Sequence, residues 1–243
     1  MPNLPNTQEK SAYVHNMFGS IAAKYDFMND FMTLGMHRLW KKKVCKILDI
    51  QAGHRILDLC CGTGDLTVML AKNLSKESQN GSSPGEVIGL DFSDEMLSYA
   101  KERKTTPGNQ LSFIQGDALN LPFNDEVFDR CTVSFGLRNV SDYLRCLKEV
   151  FRVSKPEAKF VILDLSHPSG FWDYATHPYR FFLLPFFGRL LAGNSSAYDY
   201  LPNSIKNYPD QEGLKKLMQE AGFKNVSYKN LFGGLLAIHV GNK

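Results

Sequence analysis

The chain has 243 residues, of which 43% are hydrophobic and 22% are charged, so we expect a globular protein with a substantial core rather than a disordered chain. Lys and Arg (28) outnumber Asp and Glu (25) by three, which is too balanced to indicate nucleic-acid binding by charge alone. The five cysteines are an odd number without a C-x-x-C pair, which disfavours a disulfide framework or a zinc site and favours a reducing, cytoplasmic location.

The sequence offers no candidate for a signal peptide or a membrane span. Residues 1–10 are polar and lack the apolar stretch of a signal peptide. The most apolar segment, residues 171–191, is interrupted by charged residues and prolines, so it does not provide the roughly 18 uncharged apolar residues of a spanning helix. The length suits one α/β domain with appended segments, and we predict a single domain over residues 1–243.

Helical spacing of apolar residues predicts two or three helices in residues 11–50, which we interpret as an N-terminal helical cover for the main domain. The apolar run at 54–59 (HRILDL) predicts a buried strand, and residues 66–74 predict a helix. Residues 73–85 are rich in Ser, Asn, Gly and Lys, which indicates a surface loop.

Strands and helices alternate through the rest of the chain. Further strands are predicted at 86–91, 111–115, 128–135 and 159–165, and near 223–231 and 235–240. Helices are predicted after an N-cap at Ser93, at 141–153 and at 211–221. This order predicts an α/β domain with a mostly parallel seven-stranded sheet covered on both faces. Residues 166–208 are aromatic-rich and too long for a simple connection, so we interpret them as an insertion after the fifth strand.

A glycine turn follows the first predicted strand. Gly62-Thr63-Gly64 lets the backbone approach a ligand without clashes from Cβ atoms. A NAD site would carry a third glycine where Thr67 stands, and Asp65 would place a negative charge where phosphates should bind. The acidic turn favours a cationic ligand instead, and S-adenosylmethionine is such a ligand.

Two further carboxylates follow neighbouring strands. Asp91 ends the second strand, where its carboxylate could accept hydrogen bonds from ribose hydroxyls. Asp117 follows the third strand and could accept from an adenine amino group, while the Ala118 amide donates to a ring nitrogen. Because parallel strands end at one edge of a sheet, these turns should converge on one crevice. The alternative is that these aspartates only cap helices.

Longer motifs resemble the ubiquinone/menaquinone C-methyltransferase family. Residues 25–30 (YDFMND) and 35–40 (GMHRLW) are similar to its N-terminal signature, and 134–140 (SFGLRNV) resemble its motif after the fourth strand. The resemblance extends from about Met17 to the C-terminus. It departs at 155–158 (KPEA), where the family usually has Lys-Pro-Gly-Gly. The chain also has Asp164-Leu165-Ser166 where the family usually has Glu-x-Ser, and Thr33 where it usually has Ser.

This resemblance implies a class I Rossmann-like methyltransferase fold and transfer of a methyl group from S-adenosylmethionine to a ring carbon of a prenylated quinol. Residues 143–144 and 185–188 look closer to demethylmenaquinone enzymes, so demethylmenaquinol in menaquinone biosynthesis is the favoured acceptor. The benzoquinol of ubiquinone biosynthesis remains an alternative, as do a nicotinamide-dependent oxidoreductase and a non-catalytic scaffold with the same fold.

The expected site residues follow from the glycine turn, the two carboxylates and the resemblance. The expected cofactor-binding residues are Gly62, Thr63, Gly64, Asp91, Asp117, Ala118 and Ser134. Arg138 and Asn139 are expected to stabilise the phenolate or to hold a water that takes its proton, although Arg138 could instead form a structural salt bridge. His37 is a second candidate base, and Tyr25 and Asp26 could close over the cofactor. No cluster has metal-ligand spacing, so no metal is expected.

Two segments suggest which molecules the protein contacts. The aromatic residues of 171–191 are typical of a pocket for the quinol and its tail, of a face touching a membrane, or of a homodimer contact. They are Phe171, Trp172, Tyr174, Tyr179, Phe181, Phe182, Phe186 and Phe187. The basic run Lys41-Lys42-Lys43 with Lys46 could attract an anionic membrane or form a solvated helix face. A peripheral contact with the inner face of the cytoplasmic membrane and a homodimer are thus expectations, whereas nucleic acid is not.

Overall fold

Seven strands form one sheet, and the carboxyl ends of its parallel strands lie at one edge, where the crevice was predicted. The computed structural model describes residues 14, 17–19, 21–78, 85–103, 110–178 and 204–243. The strands are β1 (Arg55–Leu59), β2 (Glu86–Asp91), β3 (Gln110–Gln115), β4 (Phe128–Ser134), β5 (Ser154–Leu165), β6 (Lys224–Leu231) and β7 (Leu236–Asn242). Their order across the sheet is β3-β2-β1-β4-β5-β7-β6. Strands β1 to β5 are parallel, and β7 runs antiparallel between β5 and β6. The predicted mostly parallel, seven-stranded sheet is confirmed.

Helices cover the sheet on both faces. They are α1 (Tyr25–Thr33), α2 (Met36–Leu48), α3 (Asp65–Glu77), α4 (Asp94–Lys101), α5 (Tyr143–Val153), α6 (Phe171–Pro178) and α7 (Gln211–Glu220). Consecutive strand residues enter opposite cores: Ile56 packs in the cluster with α2 and α3, whereas Leu57 packs in the cluster with α5 and α7. Burial on both faces explains why the strands have near-continuous apolar sequences.

Two element boundaries differ from the prediction. Helix α3 continues to Glu77, so the first part of the predicted loop at 73–85 is helical. Strand β5 begins at Ser154, five residues before the predicted start at Lys159, because the KPEA segment lies inside the strand. Glu157 adopts a left-handed conformation there, with φ of 63°, and its N–H donates to the Lys243 carbonyl. Glycine would adopt this conformation without the steric cost of a Cβ atom.

The N-terminal cover and the insertion are described in part. Helices α1 and α2 confirm the helical prediction within 11–50. In the insertion, α6 is described, whereas the predicted aromatic residues Tyr179, Phe181, Phe182, Phe186 and Phe187 lie outside the described residues. Within the described ranges, every helix is too short or too polar to cross a membrane.

Candidate active site

A cavity lies where β1, β2, β3 and β4 end, beneath the N-terminal helices. Most residues predicted for the site line it: Gly62, Thr63, Asp91, Asp117, Ala118, Ser134 and Asn139. Gly64 and Arg138 do not belong to the described lining. The remaining walls are largely apolar and include Phe18, Tyr25, Phe92, Phe135 and Val140. An apolar cavity with a few polar groups at one edge is typical of a small-molecule site.

Asp91 connects the glycine turn to the end of β2. Its Oδ2 accepts a hydrogen bond from the Gly62 N–H at 2.7 Å, and its Oδ1 accepts from the Ser93 N–H at 2.9 Å. The Ser93 hydroxyl in turn caps α4 by accepting from the Met96 N–H at 3.2 Å, which confirms the predicted N-cap. Asp91 is therefore held in place by backbone donors while it also lines the cavity.

Gly64 serves packing rather than cavity lining. It precedes α3 with φ of 75°, and a Cβ atom there would lie 2.8 Å from the Phe113 ring and 3.0 Å from the Ala100 Cβ. Only glycine combines this left-handed conformation with the close approach of Phe113. The second glycine of the turn therefore brings α3 against the sheet, and its predicted contact with the cofactor stays a prediction.

Two polar side-chain atoms at the cavity wall are buried without a hydrogen-bond partner in the described residues. They are the Ser134 hydroxyl oxygen at the end of β4 and Oδ1 of Asn139. The Asn139 Nδ2 donates to the Phe135 carbonyl at 3.4 Å, which leaves its oxygen available. Buried polar atoms are usually hydrogen-bonded, so both atoms are suited to contact a bound molecule.

The N-terminal helix is tied to the glycine turn. The Thr63 hydroxyl donates to Asp26 at 2.7 Å, and Arg103 donates both to Asp26 and to the Thr63 carbonyl. A Cβ atom at Gly62 would lie 3.9 Å from Cε1 of Tyr25, so this ring stands over the turn. Tyr25 thus lines the cavity and Asp26 ties α1 to the turn, while their closure over a cofactor stays a prediction.

Asp65 is neutralised within the protein, contrary to the expectation that it gives the turn a free negative charge. Lys41 donates to its Oδ2 at 3.0 Å, and Nη1 of Arg103 lies 4.0 Å from its Oδ1. Burial alone would raise the pKa of Asp65, but the charge and hydrogen bond of Lys41 lower it below the usual value. A cationic ligand would therefore be attracted by Asp91 and Asp117 rather than by Asp65.

Lys41 corrects the interpretation of the basic run. Its side chain is buried and lines the cavity, whereas Lys42 and Lys46 are exposed on the other side of α2. Lys41 shares the buried face of the helix with His37 and Cys45, at i±4 spacing. This i±4 spacing from two residues of the buried face could have indicated from the sequence that Lys41 faces inwards.

His37 lies beside this ion pair and outside the described lining of the cavity. Its Nδ1 is 2.9 Å from the Thr33 hydroxyl, and its Nε2 is 3.7 Å from both Asp30 and Asp65. Burial, followed by the charge of Lys41, lowers the pKa of His37. This geometry favours a packing role for His37 over its candidate role as a base.

Arg138 forms the structural salt bridge that the sequence left open. Its Nη1 lies 2.8 Å from Oδ1 of Asp164, and its backbone N–H donates to Oδ2 of the same carboxylate at 3.2 Å. Both side chains are buried, and Asp164 is 2% exposed. Burial raises the pKa of Asp164, and the Arg138 charge opposes that shift. The pair anchors the turn Leu137–Asn139 and so places Asn139 at the cavity wall.

Asp58 is a buried carboxylate beneath the turn that the sequence did not single out. It lies in β1, 1% exposed, and its Oδ2 accepts from the Thr67 hydroxyl at 2.6 Å. Burial raises the pKa of Asp58 to about 7, even though the Thr67 hydrogen bond opposes this shift. The side chain therefore takes up a proton on folding near neutral pH.

This protonation predicts a pH dependence of stability. Because the folded pKa of Asp58 exceeds its unfolded value, its contribution favours folding below the unfolded pKa and declines as pH rises towards 7. Asp58→Asn should remove that decline. The free energy of unfolding of the variant minus that of the unmodified chain should therefore be larger at about pH 8 than at about pH 5, by up to ~3 kcal/mol at ~1.4 kcal/mol per pKa unit. Urea unfolding at the two pH values measures this difference.

Asp129→Asn is the matched control. Backbone and side-chain hydrogen bonds from Arg55 and Lys155 outweigh burial and lower the pKa of Asp129. The stabilisation that ionised Asp129 gives to the folded protein is thus complete above the pKa of this side chain in the unfolded chain, and it is lost only in acid. The effect of Asp129→Asn should be equal at both pH values. An equal effect for Asp58→Asn as well would contradict the assigned protonation.

The comparisons with known proteins identify one family over nearly the whole chain. The model of the ubiE/COQ5 methyltransferase family matches residues 6–243. A Staphylococcus saprophyticus protein named demethylmenaquinone methyltransferase is 40% identical over 241 residues, which cover 99% of this chain and 100% of that protein. A Marinomonas protein named ubiquinone/menaquinone biosynthesis C-methyltransferase UbiE is 42% identical over 240 residues, covering 98% and 93%.

Solved structures share the fold at low sequence identity. A SAM-dependent methyltransferase from Thermotoga maritima superposes with a TM-score of 0.64 at 20% identity, covering 95% of this chain and 99% of that one. The [4+2]-cyclase SpnF superposes with a TM-score of 0.68 at 16% identity, covering 99% and 97%. Since a cyclase shares the architecture, the fold alone does not determine the reaction.

Proposed function

Because the chain belongs to the ubiE/COQ5 methyltransferase family, we propose that it transfers a methyl group from S-adenosylmethionine to a ring carbon of a prenylated quinol, with demethylmenaquinol as the preferred acceptor. The observation that carries this proposal is the match of the family model and of full-length relatives across the whole domain, N-terminal helices included. Methyl transfer is accordingly favoured over the nicotinamide-dependent alternative.

The cavity residues fit S-adenosylmethionine. Asp91 would accept from the ribose hydroxyls, and Asp117 would accept from the adenine amino group while the Ala118 N–H donates to the ring. Gly62 allows the backbone to lie close to the ligand, and the unpartnered Ser134 hydroxyl supplies one more polar contact. When bound, this cofactor supplies an electrophilic methyl group on a sulfonium.

The side chains at the end of β4 would hold the acceptor. Oδ1 of Asn139 is free to accept a hydrogen bond from a ring hydroxyl, which polarises the O–H bond and raises the electron density on the adjacent ring carbon. Phe135 and Val140 provide apolar walls that exclude water from the ring. Arg138 acts through its ion pair with Asp164, as a positioning residue for Asn139. Transfer would form the C–CH3 bond as the S–CH3 bond breaks, and the proton that the ring loses would pass to water; the rest of the catalysis is alignment of the carbon with the methyl group.

Asn139→Ala should lower the turnover number about a hundredfold, because it removes a preorganised hydrogen-bond partner of the reacting hydroxyl. The affinity for S-adenosylmethionine should change little, since the cofactor is assigned to Gly62, Asp91 and Asp117. Steady-state kinetics combined with calorimetric titration separate the two effects. Unchanged turnover would remove Asn139 from the proposed role.

An acceptor-swap assay tests the proposed function. Purified protein is incubated with S-adenosylmethionine and either a reduced demethylated naphthoquinol or the corresponding benzoquinol, and the methylated ring is detected by mass spectrometry. We expect the naphthoquinol to be the better substrate. Preference for the benzoquinol would favour the second candidate, which the relatives named for both pathways support. Tight NADH binding with no methylation of either ring would overturn methyl transfer altogether.

A prenylated acceptor resides in a lipid bilayer, so we also propose that the protein contacts the membrane peripherally. The described aromatic residues of the insertion support a surface role rather than a pocket role. Phe171, Trp172 and Tyr174 are exposed and are absent from the described lining of the cavity. The homodimer stays a prediction, which light scattering of the purified protein would test.

A further inference from the structure

Helix α1 has apolar side chains on two opposite faces. One face carries Tyr25, which lines the cavity, and Met28, which is 4% exposed. The other face carries Phe27 and Phe31, at i and i+4, and leads to Leu34 at i+7 in the turn before α2. The first face is thus buried or lines the cavity, whereas the large apolar side chains of the second face are exposed.

The exposed apolar side chains of this face, of the turn and of the start of α2 form a group that we call the docking surface: Phe27, Phe31, Leu34 and Leu39. These side chains are 60%, 40%, 88% and 58% exposed, and the two phenylalanine rings lie 6.3 Å apart and nearly parallel. Single exposed apolar residues are ordinary on protein surfaces. Four large ones on one helix-turn-helix are an exposed patch of the kind that marks an interaction site.

The charges around the docking surface favour an anionic partner. Its acidic neighbours are paired within the protein: Asp26 with Arg103, and Asp30 with Arg38 at 2.9 Å. The exposed side of α2, beyond Leu39, carries Lys42, Lys43 and Lys46, and none of the three forms a salt bridge within the described ranges. The rim of the docking surface is therefore basic.

A second exposed aromatic group adjoins it. Trp40, next to Leu39, lies 5.7 Å from the Phe232 ring, which is 41% exposed. The chain then leads through Gly233, against which Trp172 packs, to the exposed residues of α6. Exposed apolar residues thus also occur at the end of β6 and at the start of α6, and Trp40 of α2 contacts the first of these.

We propose that the docking surface binds an anionic lipid bilayer, with the apolar side chains entering the interface and the lysines contacting lipid headgroups. Exposed aromatic and aliphatic residues flanked by lysines are the pattern of interfacial membrane binding. The inference rests on the proposed function, because a prenylated acceptor makes the bilayer the source of substrate. The opposite face of α1 closes the cavity, so the acceptor would travel about one helix diameter, ~10 Å, from the bilayer to the site.

Vesicle co-sedimentation of the full chain tests this proposal without acceptor present. The vesicles contain phosphatidylcholine and phosphatidylglycerol in equal amounts, or phosphatidylcholine alone. Phe27→Ser combined with Leu34→Ser should weaken binding to the mixed vesicles at least about tenfold, because two interfacial apolar side chains are removed. Lys42→Gln combined with Lys46→Gln should weaken it about thirtyfold there and leave binding to phosphatidylcholine unchanged, at ~1 kcal/mol per lysine. Tyr228→Ser, an exposed aromatic on β6, is the control and should bind normally.

The outcomes separate this proposal from the proposed function. Methylation of a water-soluble acceptor with a shortened tail should be unaffected in both double variants, since none of the four residues lines the described cavity. If the unmodified chain does not methylate this acceptor but still binds vesicles, the proposed function is overturned and the docking surface is not. No vesicle binding by the unmodified chain, or equal binding by the Phe27/Leu34 variant, would overturn the docking surface. Dissociation of a dimer by that variant without loss of vesicle binding would assign the surface to a second copy.

Discussion

Replacing Asp91 with alanine is expected to lower the affinity for S-adenosylmethionine about a hundredfold or more. The proposed site uses its carboxylate for the ribose hydroxyls, and charge-assisted hydrogen bonds contribute about 1.5–3 kcal/mol each. The same carboxylate fixes the turn through the Gly62 and Ser93 N–H groups at 2.7 and 2.9 Å. The hydrogen bonds to Gly62 and Ser93 belong to the protein itself, so their loss weakens binding indirectly, by leaving the turn less ordered before the cofactor binds. Calorimetric titration with the cofactor measures the total loss of affinity.

Asp94→Ala is the matched control for this prediction. Asp94 lies three residues further along, in the first turn of α4, where it is exposed and outside the described lining. Its removal should leave the cofactor affinity unchanged, and circular dichroism should report a folded protein for both variants. Asp91→Asn should give an intermediate loss, since the amide oxygen can still accept from one backbone donor. Unaltered affinity in folded Asp91→Ala would exclude Asp91 from the site.

Replacing Arg138 with alanine is expected to destabilise the protein by about 3–5 kcal/mol, which is typical when one partner of a buried ion pair is removed. The substitution leaves the Asp164 carboxylate, 2% exposed, without the guanidinium that contacts it at 2.8 Å. The turn that carries Asn139 also loses its anchor, so turnover should fall together with stability. Urea unfolding gives the change in stability, and the methyl-transfer assay gives the turnover.

A comparison with Asp164→Ala distinguishes positioning by Arg138 from a direct catalytic role. Removal of either partner breaks the same ion pair, and Asp164→Ala also removes the acceptor of the Arg138 backbone N–H. If Arg138 only positions Asn139 through this pair, Asp164→Ala should lower turnover at least as much as Arg138→Ala does. A loss of turnover in Arg138→Ala that is about a hundredfold larger than in Asp164→Ala, the size of a general acid–base effect, would instead assign Arg138 to the reacting atoms.

The sequence predicted the sheet well because its strands are buried on both faces. Ile56 and Leu57 enter opposite cores, so both must be apolar, and the short apolar run is visible without knowledge of the fold. The predicted end of α3 and the predicted start of β5 were wrong because polar residues at these positions resemble a loop or a turn. Ser75, Lys76 and Glu77 are polar yet continue α3, since a helix needs an apolar stripe on only one side. Glu157 lies inside β5 although its surroundings resemble a turn.

The sequence by itself determined the elements, their order and the Gly62-Thr63-Gly64 turn, because periodicity, caps and glycine turns depend on neighbours within a few residues. The tertiary structure decided which charges pair and which side chains face the cavity. Lys41 meets Asp65 across 24 residues, and Arg138 meets Asp164 across 26. These contacts form only after the helices pack on the sheet, and a buried charge requires a partner that the packing supplies. The physical chemistry of the site thus depends on long-range packing that no local pattern encodes.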